Sequence, residues 1–141
     1  MSNINRSIVL VFCIAVIGIM YSDCGGTSET PYKQGRGLYL TYCANCHNEN
    51  GTGLMSLVPP LAQADYINLH RSELPCIIRH GLKGTINVNG KPYNVQNMPA
   101  LNQFSSFEVT NILNYIGSEW GNKEKLWTVD EVDASLNKCP E

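Results

Sequence analysis

Cys43-Ala44-Asn45-Cys46-His47 constrains this chain more than any other stretch. Two thiols spaced C-x-x-C share one helical turn, close enough to bond two points on one porphyrin edge. The adjacent histidine then presents an imidazole nitrogen from one side of that ring. The pattern predicts covalent haem attachment through Cys43 and Cys46, with His47 as an iron ligand. Other chemistries share the spacing. A zinc site would want a second C-x-x-C or an H-x₃₋₅-H, and the sequence has neither. A thioredoxin-type pair would want a βαβ setting, which the flanking residues do not offer.

At 141 residues the chain suits one domain built around a cofactor. A net charge of −2 provides no basic field for nucleic acid. Hydrophobic content of 43% with 16% charged residues describes a globular protein rather than a disordered one.

Residues 1–23 read as a signal peptide. Arg6 gives a modest positive start, and Ile8 to Met20 is an uncharged apolar run, shorter than the ~20 residues of a membrane span. Cys24 follows as in a bacterial lipoprotein cleavage site, where that cysteine is lipidated, although Asp23 departs from the small residue preferred before it. A plain secretory peptide and an uncleaved anchor are the alternatives. Each places the folded part outside the cytoplasm, bacterial periplasm or outer membrane face, with membrane attachment through lipidated Cys24 as the leading reading. Residues 24–32 form a flexible tether, and 33–141 the folded domain.

Gln34 to His47 suits a helix ending on the haem, with Leu38, Tyr39, Tyr42 and Cys46 on one face. Asn48 to Gly53 reads as a loop. In Val58-Pro59-Pro60-Leu61-Ala62 the prolines hold the backbone extended and leave carbonyls without helical partners. One such carbonyl is expected to accept a hydrogen bond from the far nitrogen of His47; Pro60 is favoured, with Pro59 inseparable from it by sequence. Ser72 is the expected N-cap of a helix Glu73–His80 that stops at Gly81. Ile86 to Val95 predicts a hairpin around Asn89-Gly90. Ser105-x-x-Glu108 and Thr128-x-x-Glu131 are capping boxes for two further helices, the first lined by Val109, Ile112, Leu113 and Ile116 and ending near Trp120.

From about Gly35 to Asn122 these motifs together resemble a class I c-type cytochrome. The likeness rests on Gly35, Tyr39, Cys43, Cys46 and His47 in the opening pattern, then Gly51-x-Gly53, the Pro-Pro-Leu run, Met98-Pro99 and the helix Ile112–Ile116. Pro59–Ala62, Val88-Asn89-Gly90 and Trp120-Gly121-Asn122 are similar to haem c domains appended to copper nitrite reductases, but no cupredoxin domain precedes them here. The resemblance implies a small all-α fold wrapped around one covalently bound haem c, with His47 and Met98 as the metal ligands. Arg71 and Arg79 are candidates for the haem propionates, with Arg79 carried forward. His70 and His80 are weaker candidates for the iron, and Trp120 and Trp127 are read as packing residues.

With both axial positions filled by protein, the expected function is single-electron transfer between redox protein partners, a donor and an acceptor, rather than catalysis. A permanently bound subunit of a larger oxidoreductase is the second reading, and a haem enzyme or gas sensor the third. Finally, counting cysteines leaves Cys76 and Cys139 as an even pair in an oxidising compartment, which predicts a disulfide. Two buried free thiols are the alternative.

Overall fold

A computed structural model describes residues 32–94 and 97–140. The leader, Cys24 and most of the expected tether lie outside the described residues. The order is α1 (Lys33–Tyr42), α2 (Ala44–His47), α3 (Asp65–Leu69), a 3₁₀ turn (Arg71–Glu73), α4 (Leu74–His80), strands β1 (Ile86–Val88) and β2 (Lys91–Tyr93), α5 (Ser106–Ser118) and α6 (Val129–Leu136). This is the expected all-α class with one small hairpin.

α5 is the axis of the core. Ser105 caps it by accepting from the Glu108 backbone, and the Glu108 carboxylate accepts in return from Ser105 N at 2.8 Å. Its apolar residues recur at helical spacing, so Val109 and Ile112 are wholly buried. α1 crosses it at Gly35, where a β-carbon would lie 2.0 Å from the Asn111 carbonyl oxygen; only glycine lets the backbones approach this closely. One turn on, Tyr39 is fully buried against Tyr115 and Trp120, at ring separations of 5.4 and 5.1 Å.

The hairpin forms as its Asn-Gly pair predicts. Asn89 and Gly90 both have positive φ (50° and 74°), the geometry of a two-residue turn matched to strand twist. Ile86 pairs with Tyr93 and Val88 with Lys91. A reciprocal clasp holds the turn: Asn89 N donates to Asp65 Oδ1 at 2.7 Å, and Asp65 N donates to Asn89 Oδ1 at 3.0 Å.

The C-terminal segment folds back over α4 and α5. Thr128 and Glu131 form the second expected capping box at the start of α6. Asn114 Nδ2 donates to the buried Trp127 carbonyl at 3.0 Å while its Oδ1 accepts from Trp127 N at 2.7 Å. The Arg71 guanidinium lies 3.9 Å above the Trp127 ring. Cys76 in α4 is paired with Cys139, with Cα atoms 5.6 Å apart.

Two expectations about helix limits change. The helix expected over Gln34–His47 kinks at Cys43 (φ −112°), because Cys46 N reaches the Cys43 carbonyl and tightens the turn. Ser72 is not an N-cap. It sits inside the 3₁₀ turn, whose Arg71 carbonyl already accepts from Leu74 N, so α4 continues from that turn without a side-chain cap. Gly81 does end α4, at φ 79°.

Candidate cofactor site

The thiols and imidazole of the motif are gathered by the tight turn after α1. His47 N donates to the Cys43 carbonyl at 2.9 Å, and both Cys43, partly buried, and Cys46, exposed, are free of disulfides. Burial, and then the neighbouring Cys46, push the Cys43 thiol up to about 11. Burial also holds the His47 imidazole below its ordinary value, opposed by one hydrogen bond. In that bond His47 Nδ1 donates to the Pro59 carbonyl at 3.1 Å. The tautomer is thereby fixed with its proton on Nδ1, leaving the Nε2 lone pair for a metal. The acceptor is Pro59, which corrects the preference for Pro60. Pro60 instead lines the cavity wall.

Local backbone chemistry explains why Pro59 arrives there. Gly51 and Gly53 adopt φ of 68° and 69°, and a β-carbon on Gly53 would meet the Val58 carbonyl at 2.3 Å. Gly53 N donates to the His47 carbonyl at 2.9 Å, while Leu61 N and Ala62 N both donate to the Gly51 carbonyl. The Asn48 side-chain amide donates to the Gly53 carbonyl, and the buried Tyr39 hydroxyl donates to the Asn48 carbonyl at 2.6 Å. Asn122 secures the far end of the loop. Its amide donates to Leu61 O and Ile116 O, and its Oδ1 accepts from Gln63 N.

Met98 comes from a separate segment. It exchanges two backbone hydrogen bonds with Leu82, of 3.1 and 3.0 Å, directly after the Gly81 turn. Gly81 is needed there, since a β-carbon would lie 2.5 Å from the Met98 carbonyl oxygen. Two apolar cavities lie against both segments. Cys43, His47, Pro59, Leu82, Ile86, Met98 and Leu101 line both, so the two share a wall. One is also lined by Tyr42, Cys46 and Pro99. The other runs to an aliphatic floor that includes Ile67, Ile78, Val88 and Ile112. Two thiols, a tautomerically fixed imidazole and a thioether around an apolar slot are a donor set that fits haem c.

The arginines are not gathered with these groups. Arg71 is engaged elsewhere, with Nη1 3.7 Å from Glu124 Oε2 and its face on Trp127. Arg79 lines neither cavity, although its Nε is buried with no hydrogen-bond partner among the described residues. It follows Ile78 in α4 by about 100° of helical rotation, so the residue that faces the cavity is its neighbour. His70 stacks on Tyr66 and pairs with Glu73, and neither it nor His80 lines the cavities. Tyr39, Leu82 and Asn122 also shape the site. Tyr39 and Asn122 carry a sequence signal, in the opening pattern and in Trp120-Gly121-Asn122, whereas Leu82 carries none.

The profile of the cytochrome c family matches residues 32–120. The chain belongs to the cytochrome c family. A cytochrome c-552 of Thermus thermophilus is 34% identical over 99 residues, covering 64% of this chain and 75% of that protein. A second cytochrome c-552, from another strain of the same organism, is also 34% identical, with 66% of it covered. The cytochrome c subunit of a quinone alcohol dehydrogenase of Gluconacetobacter polyoxogenes is 29% identical over 101 residues, which span 20% of that subunit. Membership establishes a covalently attached haem c and an electron-transfer role. In this cytochrome c, α6 and Cys139 lie beyond the matched residues.

Proposed function

We propose that this chain is a monohaem electron carrier acting between extracytoplasmic redox proteins, in which Cys43 and Cys46 form the thioethers and His47 and Met98 are the axial ligands. The observation that carries this is the shared cavity wall, on which His47 and Met98 stand together with Cys43. Haem c supplies a one-electron couple. The chain's part would be to hold the iron through His47 and Met98, and with both bound no coordination position would remain for a substrate. The hydrogen bond to Pro59 orients His47 and raises its basicity as a ligand. The thioether of Met98 favours the ferrous state relative to a second imidazole. The aliphatic floor excludes water and disfavours extra charge. The leader and Cys24 would place the domain outside the cytoplasm, with lipid as its anchor; the paired Cys76 and Cys139 agree with such a compartment.

Met98→Ala tests the reading. The oxidised holoprotein should lose its weak sulfur-to-iron charge-transfer band, and the reduced form should bind carbon monoxide readily. An unchanged band and potential would remove Met98 from the iron. Native protein that is high-spin and binds carbon monoxide would turn the reading towards a haem enzyme or gas sensor. A second reading, a fixed subunit of a larger oxidoreductase, is favoured by the likeness to a dehydrogenase's cytochrome subunit. Co-purification of a stoichiometric partner would select it.

A further inference from the structure

We propose that the C-terminal strap braces Met98 through α4, with Arg71, Cys76 and Cys139 as positioning residues. This rests on the assignment of Met98 to the iron and adds what keeps the thioether there. Residues 97–101 depend on α4 for their position. Among the described residues, the backbone hydrogen bonds that tie them to distant parts of the chain end on α4 or on Leu82 just past it. Met98 and Leu82 exchange two such bonds, and Leu101 N donates to the Ile78 carbonyl at 3.2 Å. Gly81 completes the contact, since a β-carbon on it would also lie 2.9 Å from Ala100 N. A shift of α4 therefore moves the segment that carries the thioether.

α4 does not hold that place unaided. It has 7 residues, well under the ~12–15 below which an isolated helix is marginal, and no side chain caps its start. The strap grips it twice. Just before the helix, the Arg71 guanidinium lies 3.9 Å from the Trp127 ring centroid, and its Nη2 donates to the Leu126 carbonyl at 3.4 Å. Within the helix, Cys76 is bonded to Cys139, past the end of α6. The strap itself is fixed to α5, because Asn114 clasps Trp127 and Ser106 Oγ donates to Asp133 Oδ1 at 2.9 Å. The position of Met98 is thus referred, through α4, to the axis of the core. The His47 side has separate supports, the turn of Gly51 and Gly53 and the Pro59 carbonyl. Loosening the strap should therefore free one axial ligand and leave the other in place. α6 and Cys139 lie outside the residues that match the family profile, so the brace is an addition to the haem-binding stretch.

Imidazole added to the oxidised holoprotein is the probe, since it reaches the iron in proportion to the fraction of molecules from which Met98 has withdrawn. Cys76→Ser with Cys139→Ser should raise its apparent affinity by about 10-fold, while the spectrum without imidazole stays native. Hydrogen exchange should quicken at the amides of Leu82, Met98 and Leu101 and stay native at Gly53, Leu61 and Ala62. Arg71→Ala, which releases the grip ahead of the helix, should raise the affinity by about 3-fold, and it decides the matter if the serine pair yields no holoprotein. Asn111→Gly weakens α5 on its α1 side, away from the strap, and should leave imidazole affinity native. Native affinity in the strap variants overturns the brace. So does equal loosening at Gly53, Leu61 and Ala62, or an equal rise in Asn111→Gly, since either reduces the effect to general stability. The sulfur-to-iron band keeps the two readings apart. If the native protein shows it and the strap variants keep native affinity, the brace fails alone; if the native protein lacks it, Met98 fails as a ligand and the brace with it.

Discussion

The walls of the cofactor cavity and the C-terminal strap are held by different means. Around the cavity, backbone bonds between loops dominate, shaped by glycines at positive φ and a pair of prolines. The side chains there line the cofactor site. The strap is fastened by side chains: Asn114 on Trp127, Arg71 over its ring, Ser106 on Asp133, and Cys76 with Cys139. It packs against α4 and α5. The difference teaches that one part of the fold borrows its core from a cofactor, whereas the other completes its own.

The sharpest way to break that comparison is to remove the attachment points. Cys43→Ala with Cys46→Ala should abolish covalent haem, recorded as the loss of pigment that survives acid-acetone extraction. The amides of Leu61, Ala62, Leu82 and Met98 should then exchange as in mobile loops, with local stability of ~0 kcal/mol, while α5 and Trp127 stay protected. Equal exposure of α5 and Trp127 would show that both regions depend on the cofactor.

A smaller effect is expected on the strap. Oxidation of Cys76 with Cys139 closes a loop of separation 63, a contribution of about 4 kcal/mol in the chain-entropy model. Replacing both by serine should lower holoprotein stability by up to that amount while leaving the haem spectrum unchanged. Mass spectrometry of unreduced protein checks the premise, since two alkylatable thiols at these positions would remove it.

The smallest effect sits at the start of α6. Thr128→Ala should cost about 1 kcal/mol, read by chemical denaturation. Acidification attacks the same feature. Hydrogen bonds from Thr128 N and then Lys125 hold the Glu131 carboxyl below the usual carboxylate range, and bonds from Ser105 do likewise for Glu108. Because the folded values are depressed, these contributions are present above the unfolded carboxylate range and disappear as pH falls through the folded values. Stability that stayed flat through that acid range would remove the caps from the account.

Local rules explain what was legible in the sequence. The capping boxes, the Asn-Gly hairpin and the haem motif each depend on residues within a few positions of one another, so spacing suffices. The Cys76–Cys139 pairing followed from elimination, which distance along the chain does not weaken. What escaped is set by tertiary contact. Pro59 and Pro60 offer the same carbonyl chemistry, and the Gly53 turn decides which one meets His47. Ile78, not Arg79, lines the cavity, while the Arg79 Nε is buried without a hydrogen-bond partner among the described residues. Asn114 is an ordinary polar residue until the segments it joins are seen together.

The position of the paired cysteines along the chain also bears on assembly. Four cysteines, Cys43, Cys46, Cys76 and Cys139, share the described domain, and four allow three disulfide connectivities, two of which consume the haem-attaching thiols wrongly. The third joins Cys43 to Cys46 and leaves the Cys76–Cys139 bridge intact, yet it blocks haem attachment as well. Any oxidation of Cys43 or Cys46 before haem arrives therefore halts maturation. Were haem to hold Cys43 and Cys46 first, Cys76 and Cys139 would each have one partner left among the four, and the bridge would be unambiguous.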